Sequence, residues 1–460
     1  MPVCTPGIGQ APSYVNGFVM TSMNAADSVT QLMIVPGGTT PGAVTITYSA
    51  VHKLWELYER FEKTGVQRQQ RIILAPREAS EAMPARAAQT NAALQKRIKQ
   101  LPGSVDVILE TSGSTTGNPR LVGLSFGALV ASARATHETL DGPGRWIVAL
   151  PVHHVAGLQT LIRTCVAEAS PIIADMSAGF DEEALKVACR TAADDSAHRA
   201  YLSLVPKQLH DALEAGGELV EQLARLDAVL VGGAGTSSNL LDRARAAGIN
   251  VVTTYGMSET GGGCVYNGTP LPGVQIRTVD GRIQIAGPVL MDGYVDGFDR
   301  PFDVEDGQRW LRTSDAGEWD GNSLQVLGRA DDVIVSGAVN VAPTRVADVI
   351  AAAEDVSDVA VVALPDEKWG QVVAAAIASP CIRAKIDEAG ADLSAHENEV
   401  YAKFAKQIRD LVGEQLGRDH APRVIAVVDE LAVTPLGKVD RHAVGAMVAN
   451  LVASEAAWVR

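Results

Sequence analysis

A chain of 460 residues with 47% hydrophobic and 20% charged side chains has the composition of a folded protein with room for more than one domain. Its formal charge of −15 excludes a surface attractive to nucleic acid or anionic membrane, though not a local basic pocket for a phosphorylated ligand. No apolar run approaches the ~20 residues that span a bilayer, no Lys or Arg precedes Lys53 to form a signal peptide's basic region, and Cys4, Cys165, Cys189, Cys264 and Cys381 are spaced as neither a disulfide framework nor a zinc ribbon, so a cytoplasmic protein with free thiols is expected.

In chain order, residues 1 to about 50 are rich in Gly, Pro, Ser and Thr and end in Ala43-Val-Thr-Ile-Thr-Tyr48, which reads as extended. A helix is expected from about Ser49 to Thr64, since Val51, Leu54, Leu57, Tyr58 and Phe61 share a face. Ile72 to Ala75 reads as a buried strand, and Ser80 to Gln100 as a polar surface helix. Val107-Ile-Leu-Glu110 reads as a strand running into Thr111-Ser-Gly-Ser-Thr-Thr-Gly-Asn-Pro-Arg120, with a helical pattern over Ala128 to Leu140 beyond it. A loop between strand and helix whose glycines let backbone N–H groups approach an anion, and whose Ser112, Ser114, Thr115 and Thr116 add hydroxyl donors, is where phosphates bind. No Gly-Lys-Ser/Thr follows, so it is not a Walker motif.

Apolar runs at Trp146–Leu150, Pro171–Ala174, Tyr201–Val205, Ala228–Val231 and Asn250–Thr253 then alternate with helical patterns, which predicts crossover units and a mainly parallel sheet. Small residues after two of these runs, Gly232 to Gly235 and Gly256, stand at strand ends, where open parallel sheets take ligands. Residues 271 to about 327 alternate in short runs separated by Asp-Gly turns and read as hairpins of a small β subdomain. From Ala330 the texture changes again, with apolar runs at 360–364, 372–377 and 423–428 around a helical stretch at 396–415. The expected fold class is therefore α/β: a large domain over residues 1–329, of α/β subdomains plus a small β subdomain, and a small α/β domain over 330–460.

Five segments in this order, Thr111–Arg120, Thr254-Tyr-Gly-Met-Ser-Glu-Thr260, Arg312-Thr-Ser-Asp315, Gly328-Arg-Ala-Asp-Asp-Val-Ile334 and Pro435-Leu-Gly-Lys-Val-Asp-Arg441, resemble the motifs of the adenylate-forming superfamily of acyl-CoA ligases, adenylation domains and luciferases. The resemblance implies a nucleotide site of Thr111, Ser112, Gly113, Ser114, Thr115, Thr116, Gly117, Gly233, Ala234, Thr254, Tyr255, Gly256, Met257, Ser258, Asp315 and Arg329. In it Tyr255 lies against the adenine, and Asp315 takes the ribose, one carboxylate accepting from two sugar hydroxyls. Glu259 is the magnesium-associated carboxylate, a hard oxygen donor as Mg²⁺ requires, and Lys438 is the catalytic lysine on a mobile small domain that hinges at Asp331. The phosphate loop departs from the family pattern in being one residue longer and in ending at Arg120 rather than Lys, and Ser258 replaces a usual Thr.

The run Ala149-Leu-Pro-Val-His-His-Val-Ala-Gly-Leu-Gln-Thr-Leu-Ile-Arg163, with Gly142–Trp146 before it and Glu259–Tyr266 after it, closely resembles o-succinylbenzoate–CoA ligases of menaquinone biosynthesis, the short actinobacterial type. That resemblance implies an acyl pocket with His154, Arg163, Gly262 and Gly263, in which His154 serves catalysis and Arg163 meets the aromatic acid. ATP, Mg²⁺ and CoA are the implied cofactor and co-substrates, and an aromatic dicarboxylic acid the implied partner; a homodimer is allowed. Another acyl-CoA ligase, or an adenylation domain that loads a carrier protein, stays open as an alternative.

Overall fold

The computed structural model describes residues 13–15, 18–25, 28–66, 71–82, 92, 94, 97–98, 101–111, 120–295, 301–337, 339–390, 394–433 and 439–460. The chain forms two compact units, one of Met1–Gly233, Arg245–Ile276 and Ile285–Leu311, the other of Ala234–Ala244, Arg277–Gln284 and Arg312–Arg460.

The first unit is built on two sheets. One begins with β1 (Ser13–Val15), β2 (Phe18–Ala25), β3 (Ser28–Pro36), β4 (Arg71–Arg77), β5 (Val107–Glu110) and β6 (Leu121–Leu124), and ends on the two-residue strand Gly293–Tyr294. Strands β3 to β5 run parallel, whereas β5 and β6 are antiparallel, Ile108 opposite Gly123. The glycine-rich loop thus joins two antiparallel strands rather than a strand and a helix, which corrects the expectation from sequence. Leu121 to Leu124 is apolar and fully buried, so it pairs back onto β5 before the next helix starts.

Helix α1 covers Pro41–Thr64, so the extended reading of Ala43 to Tyr48 fails. Thr40 caps it, Pro41 sits where a missing N–H costs nothing, and Val44, Thr47, Val51 and Leu54 form one continuous buried stripe. Thr47 shows why β-branched residues misled: its hydroxyl donates to Pro36 O at 2.8 Å from a fully buried position, a tertiary contact that outweighs strand propensity. The expected surface placement of Ser80 to Gln100 also fails in part. Leu94 and Ile98 are buried with Leu32, Ile73 and Ile108 in the core under this sheet.

The second sheet comprises β7 (Gly144–Val148), β8 (Ile172–Ile173), β9 (Arg199–Leu204), β10 (Ala228–Gly232), β11 (Val251–Met257), β12 (Gly262–Tyr266) and β13 (Thr269–Pro270), in the order β13-β12-β11-β10-β9-β7-β8. From β8 to β11 all neighbours are parallel, as the alternating texture predicts, and β12 and β13 add an antiparallel edge. Helices α2 (Phe126–Thr139, capped by Ser125) and α3 (Val155–Val166) are buried over most of their residues.

In the second unit the sheet order is Val339–Val341, Ile334–Ser336, Gly370–Ala378, Val424–Val428, Trp458–Val459, with Asp358–Asp366 also paired to Gly370–Ala378. Helices cover both faces: Ile350, Phe404, Ile408 and Val412 pack with Ile425 on one, Val444 and Val448 with Ala374 and Ala426 on the other. The α/β class expected from the sequence holds.

Replacing Thr47 by Val keeps shape and apolar burial but leaves the Pro36 carbonyl unpaired, so unfolding free energy should fall by about 1–3 kcal/mol. Urea denaturation measures the loss, and an unchanged midpoint would remove Thr47 from the account of α1.

Candidate active site

In the first unit the parallel strands β10 and β11 end side by side, Gly232 opposite Thr254. Close approach requires the glycine, because a Cβ there would lie 2.0 Å from Thr254 Oγ1. Gly233 follows at φ 82° and is exposed, so the strand ends open outward as a small-residue rim. Beyond Tyr255 the β11–β12 register shifts, and Gly256 lies so near β12 that a Cβ would stand 2.1 Å from Gly262 O.

Met257 then enters the 3₁₀ turn Ser258–Thr260 that carries Glu259, and Gly261 and Gly262, at φ 61° and 112°, bring the chain back. This turn is pinned from inside. Thr260, with no exposed surface, donates to Gly262 O at 2.7 Å and accepts from Met257 N at 2.9 Å. Gln159 of α3 donates to Gly261 O at 2.6 Å, and Met291 N donates to Glu259 O at 2.8 Å. The Glu259 side chain is half-buried and its Oε1 accepts from Tyr294 OH at 2.8 Å. Arg120 stacks on the other side of this arrangement, its Cζ 3.3 Å from the Tyr294 ring centroid. Among the described residues no group of three or more His, Cys, Asp or Glu side chains gathers as a metal cage. A single placed carboxylate fits Mg²⁺, which keeps waters and binds mainly through one or two carboxylates and substrate phosphates.

Thr111 and Arg120 close the base of the glycine-rich loop: Thr111 N donates to Arg120 O at 2.8 Å, and Arg120 N to Thr111 Oγ1 at 2.9 Å. The residues between them, including Ser112, Gly113, Ser114, Thr115, Thr116 and Gly117, lie outside the described residues, as does Lys438.

His154 is the N-cap residue of α3 and lies against His153 with the rings tilted by 40° and their centroids 4.2 Å apart. Burial first, and Arg77 second, push His153 down to about 4; its Nδ1 accepts from Gly38 N, so this ring is a neutral structural acceptor. Arg163, on the same helix, is 3% exposed. It donates to Tyr266 OH at 3.0 Å, lies 4.6 Å over the Trp146 ring and leaves Nε without a partner. Tyr266 OH in turn meets Thr136 Oγ1 at 3.0 Å, and Trp146 Nε1 donates to His137 Nε2 at 3.2 Å. No acidic side chain among the described residues forms an ion pair with Arg163, and burial lowers its affinity for its proton. A buried guanidinium held only by neutral groups is a costly arrangement that an anion would relieve. Gly262 lies beside this helix, a Cβ there falling 3.2 Å from Gln159 Cγ, whereas a Cβ on Gly263 would meet Tyr266 and Thr254.

Ala234, Asp315, Arg329 and Asp331 belong to the second unit. Asp315 and Arg329 face one another across an antiparallel pair, Asp315 half-buried and Arg329 with a buried Nε that finds no partner. Thr313 holds the strand below Asp315, donating to Ile283 O at 2.8 Å and accepting from Asp315 N at 3.1 Å. Asp331 is exposed, with Arg282 Nη2 at 3.8 Å, and Ala234 is exposed at the end of β10. The sequence reading missed Tyr294, Tyr266, Gln159 and Thr136. Each is a lone residue whose partner lies between 102 and 130 positions away, or 35 for Tyr294, so no local pattern marks it.

Residues 25–295 match the family described as AMP-binding enzyme, and residues 345–438 the AMP-binding enzyme C-terminal domain. A protein of Mycobacterium tuberculosis (strain H37Rv) named "Probable 2-succinylbenzoate–CoA ligase" is 40% identical over 351 residues, 75% of this chain and 85% of that protein. The 2-succinylbenzoate–CoA ligase of Lactococcus lactis is 29% identical over 358 residues, 73% of this chain and 70% of its own. Among solved structures, o-succinylbenzoate CoA synthetase of Bacillus subtilis in complex with the acyl-adenylate intermediate shares the fold at a TM-score of 0.60 and 21% identity, covering 89% of this chain and 87% of that one. ATP-bound MatB from Rhodopseudomonas palustris shares it at a TM-score of 0.65 and 19% identity, covering 90% and 88%.

His137, beside Arg163, is pushed down to about 4 from an ordinary 6.5, by burial first and by Arg163 second. Its native ring stays neutral while the unfolded chain takes up a proton below 6.5. Its contribution is therefore complete above pH 6.5 and is lost as pH falls from there to about 4, by up to roughly 3 kcal/mol. His137→Gln, which keeps an acceptor for Trp146, should flatten urea-measured stability across that window; an unaltered slope would show that His137 is not the group responsible.

Proposed function

The chain belongs to the AMP-binding enzyme family, and from that premise we propose that it activates o-succinylbenzoate with ATP and passes the acyl group to CoA, a step of menaquinone biosynthesis. It is an AMP-forming acid–CoA ligase that uses ATP, Mg²⁺ and CoA. The observation that carries the substrate is the 40% identity, over 75% of the chain, to a protein named as a 2-succinylbenzoate–CoA ligase. In the first half-reaction a carboxylate oxygen of the acid attacks the α-phosphorus of ATP and the bond to pyrophosphate breaks. In the second, the CoA thiol sulfur attacks the acyl carbon and AMP leaves.

Both partners in the first step are anions, so placed positive charge and donors are the main requirement. Lys438, which the family pattern brings to the carboxylate and α-phosphate, supplies that charge, and residues 111–117 cradle the phosphates. Tyr255, with Gly233 and Ala234, receives the adenine, Asp315 the ribose hydroxyls, and Arg329 the ribose and phosphate side. Glu259 holds Mg²⁺, whose chemical contribution is to neutralise phosphate charge. His154, Gly262 and Gly263 line the acyl end of the site, where His154 serves catalysis. Arg163 meets the aromatic carboxylate that the reaction does not consume, a role supported by its burial, its lack of an acidic ion-pair partner among the described residues and its unpaired Nε. We place the hinge at Asp331, between a substrate-binding domain of residues 1–329 and a small domain of 330–460 that withdraws Lys438 before CoA enters. The activity belongs in the cytoplasm, where ATP and CoA are at hand. The residue set lies within one chain, so the reading holds for a monomer and for a homodimer alike.

The reading is tested by supplying o-succinylbenzoate, benzoate and a medium-chain fatty acid with ATP and CoA. AMP and pyrophosphate should form with o-succinylbenzoate preferred; ADP as product would end the adenylate reading, and preference for benzoate would end the substrate assignment alone. Arg163→Ala should raise KM for o-succinylbenzoate strongly and leave ATP binding nearly intact, because on this reading the guanidinium is a partner of the acid and not of the nucleotide.

Lys438→Ala should slow adenylation on the order of 10²–10³-fold, the usual cost of removing one donor at developing charge. Transfer from preformed acyl adenylate should suffer much less. Rapid-quench measurement of each half-reaction separates these, and equal losses would contradict domain alternation.

A further inference from the structure

We propose that Tyr294 is a positioning residue that ties Glu259 to Arg120 and thereby sets the affinity of the site for a divalent cation; this rests on the reading of Glu259 as the metal-side carboxylate. Two contacts on opposite parts of one side chain carry the inference. Its hydroxyl donates to Glu259 Oε1 at 2.8 Å, and its ring face lies 3.3 Å from Arg120 Cζ.

The tyrosine has little freedom to be elsewhere. Gly293–Tyr294 pairs with β6, Gly293 opposite Gly123 and Tyr294 opposite Val122, and Asp292 N and Val295 N donate to Gly123 O and Leu121 O on either side. The same short segment holds the backbone of its target, since Met291 N donates to Glu259 O at 2.8 Å. Residues 291–295 therefore fix both the main chain and the side chain of Glu259, and are themselves paired to the strand that starts just after Arg120.

The chemistry of the contact follows from charge. A hydroxyl donated to a carboxylate is a charge-assisted bond that selects one rotamer and occupies one oxygen. Oε2 is left as the oxygen open to a cation, with the entropy of a free glutamate side chain already lost. A guanidinium on the ring face draws electron density from the phenol and strengthens its O–H as a donor. The carboxylate and the base of the glycine-rich loop are thus held in one unit, so a cation on Glu259 and phosphates near the loop meet a preset spacing.

The test uses the full-length enzyme with a non-hydrolysable ATP analogue and follows free Mn²⁺ by electron paramagnetic resonance. Tyr294→Phe keeps the ring and its cation contact but removes the donor, and should weaken Mn²⁺ binding by about 10-fold. Its adenylation rate should recover at saturating Mg²⁺, which a merely structural defect would not allow. Tyr294→Leu removes both contacts and should weaken Mn²⁺ binding further while raising KM for ATP. In a Glu259→Gln background Tyr294→Phe should add nothing. Mn²⁺ binding unchanged in Tyr294→Phe, or weakened equally in the presence and absence of Glu259, overturns the proposal and leaves the metal role of Glu259 standing. Unweakened binding in Glu259→Gln alone overturns that role and the proposal with it.

Discussion

The hydrogen bonds inside the turn from Met257 to Gly263 are the constraint on which the rest of the first unit's chemistry depends. Thr260 has no exposed surface, so its exchange with Met257 and Gly262 meets no competition from water. Gln159 reaches from another helix to close the same turn. Glu259 projects from the half-buried stretch Met257–Glu259 that leads into the buried residues Thr260 to Gly262, so its backbone is held by the bonds beneath it. Close packing of glycine on glycine makes the turn fit: at Gly256 even a methyl group would meet the Gly262 carbonyl.

A second constraint is electrostatic. Arg163 brings a permanent charge into a core of Trp146, Tyr266 and Thr136, none of which can neutralise it. Stability alone would favour an apolar residue of similar volume. The arrangement makes physical sense where the charge is kept for a ligand, and the aromatic carboxylate of o-succinylbenzoate carries charge of the required sign. His137 responds to this neighbour and to burial by staying neutral well below its ordinary range.

Several features are legible in local pattern alone. The alternation of apolar runs with helical patterns predicts the parallel β8-β7-β9-β10-β11 core, because a strand buried on both faces has no polar side to display. Asp-Gly turns between short alternating runs mark the hairpins that place Asp315 opposite Arg329. The motifs around Glu259, Asp315 and Arg329 are likewise local: each lies on one strand or turn, and its residues are neighbours in the chain.

The sequence by itself determined the α/β class, which is written in short-range pattern, while the chain order of the nucleotide motifs and the kinship with acid–CoA ligases came from the resemblance of those motifs to a known family. It misread Ala43 to Tyr48 and the surroundings of the glycine-rich loop, because burial of Val44 and Thr47 and the return of Leu121 to Leu124 onto β5 are decided by distant partners. Only the tertiary structure revealed that Arg163 is sealed against Tyr266 and that Tyr294 lies between Arg120 and Glu259. Such contacts join residues 35 to 174 positions apart, and residues so distant in the chain meet only once the fold has closed around them.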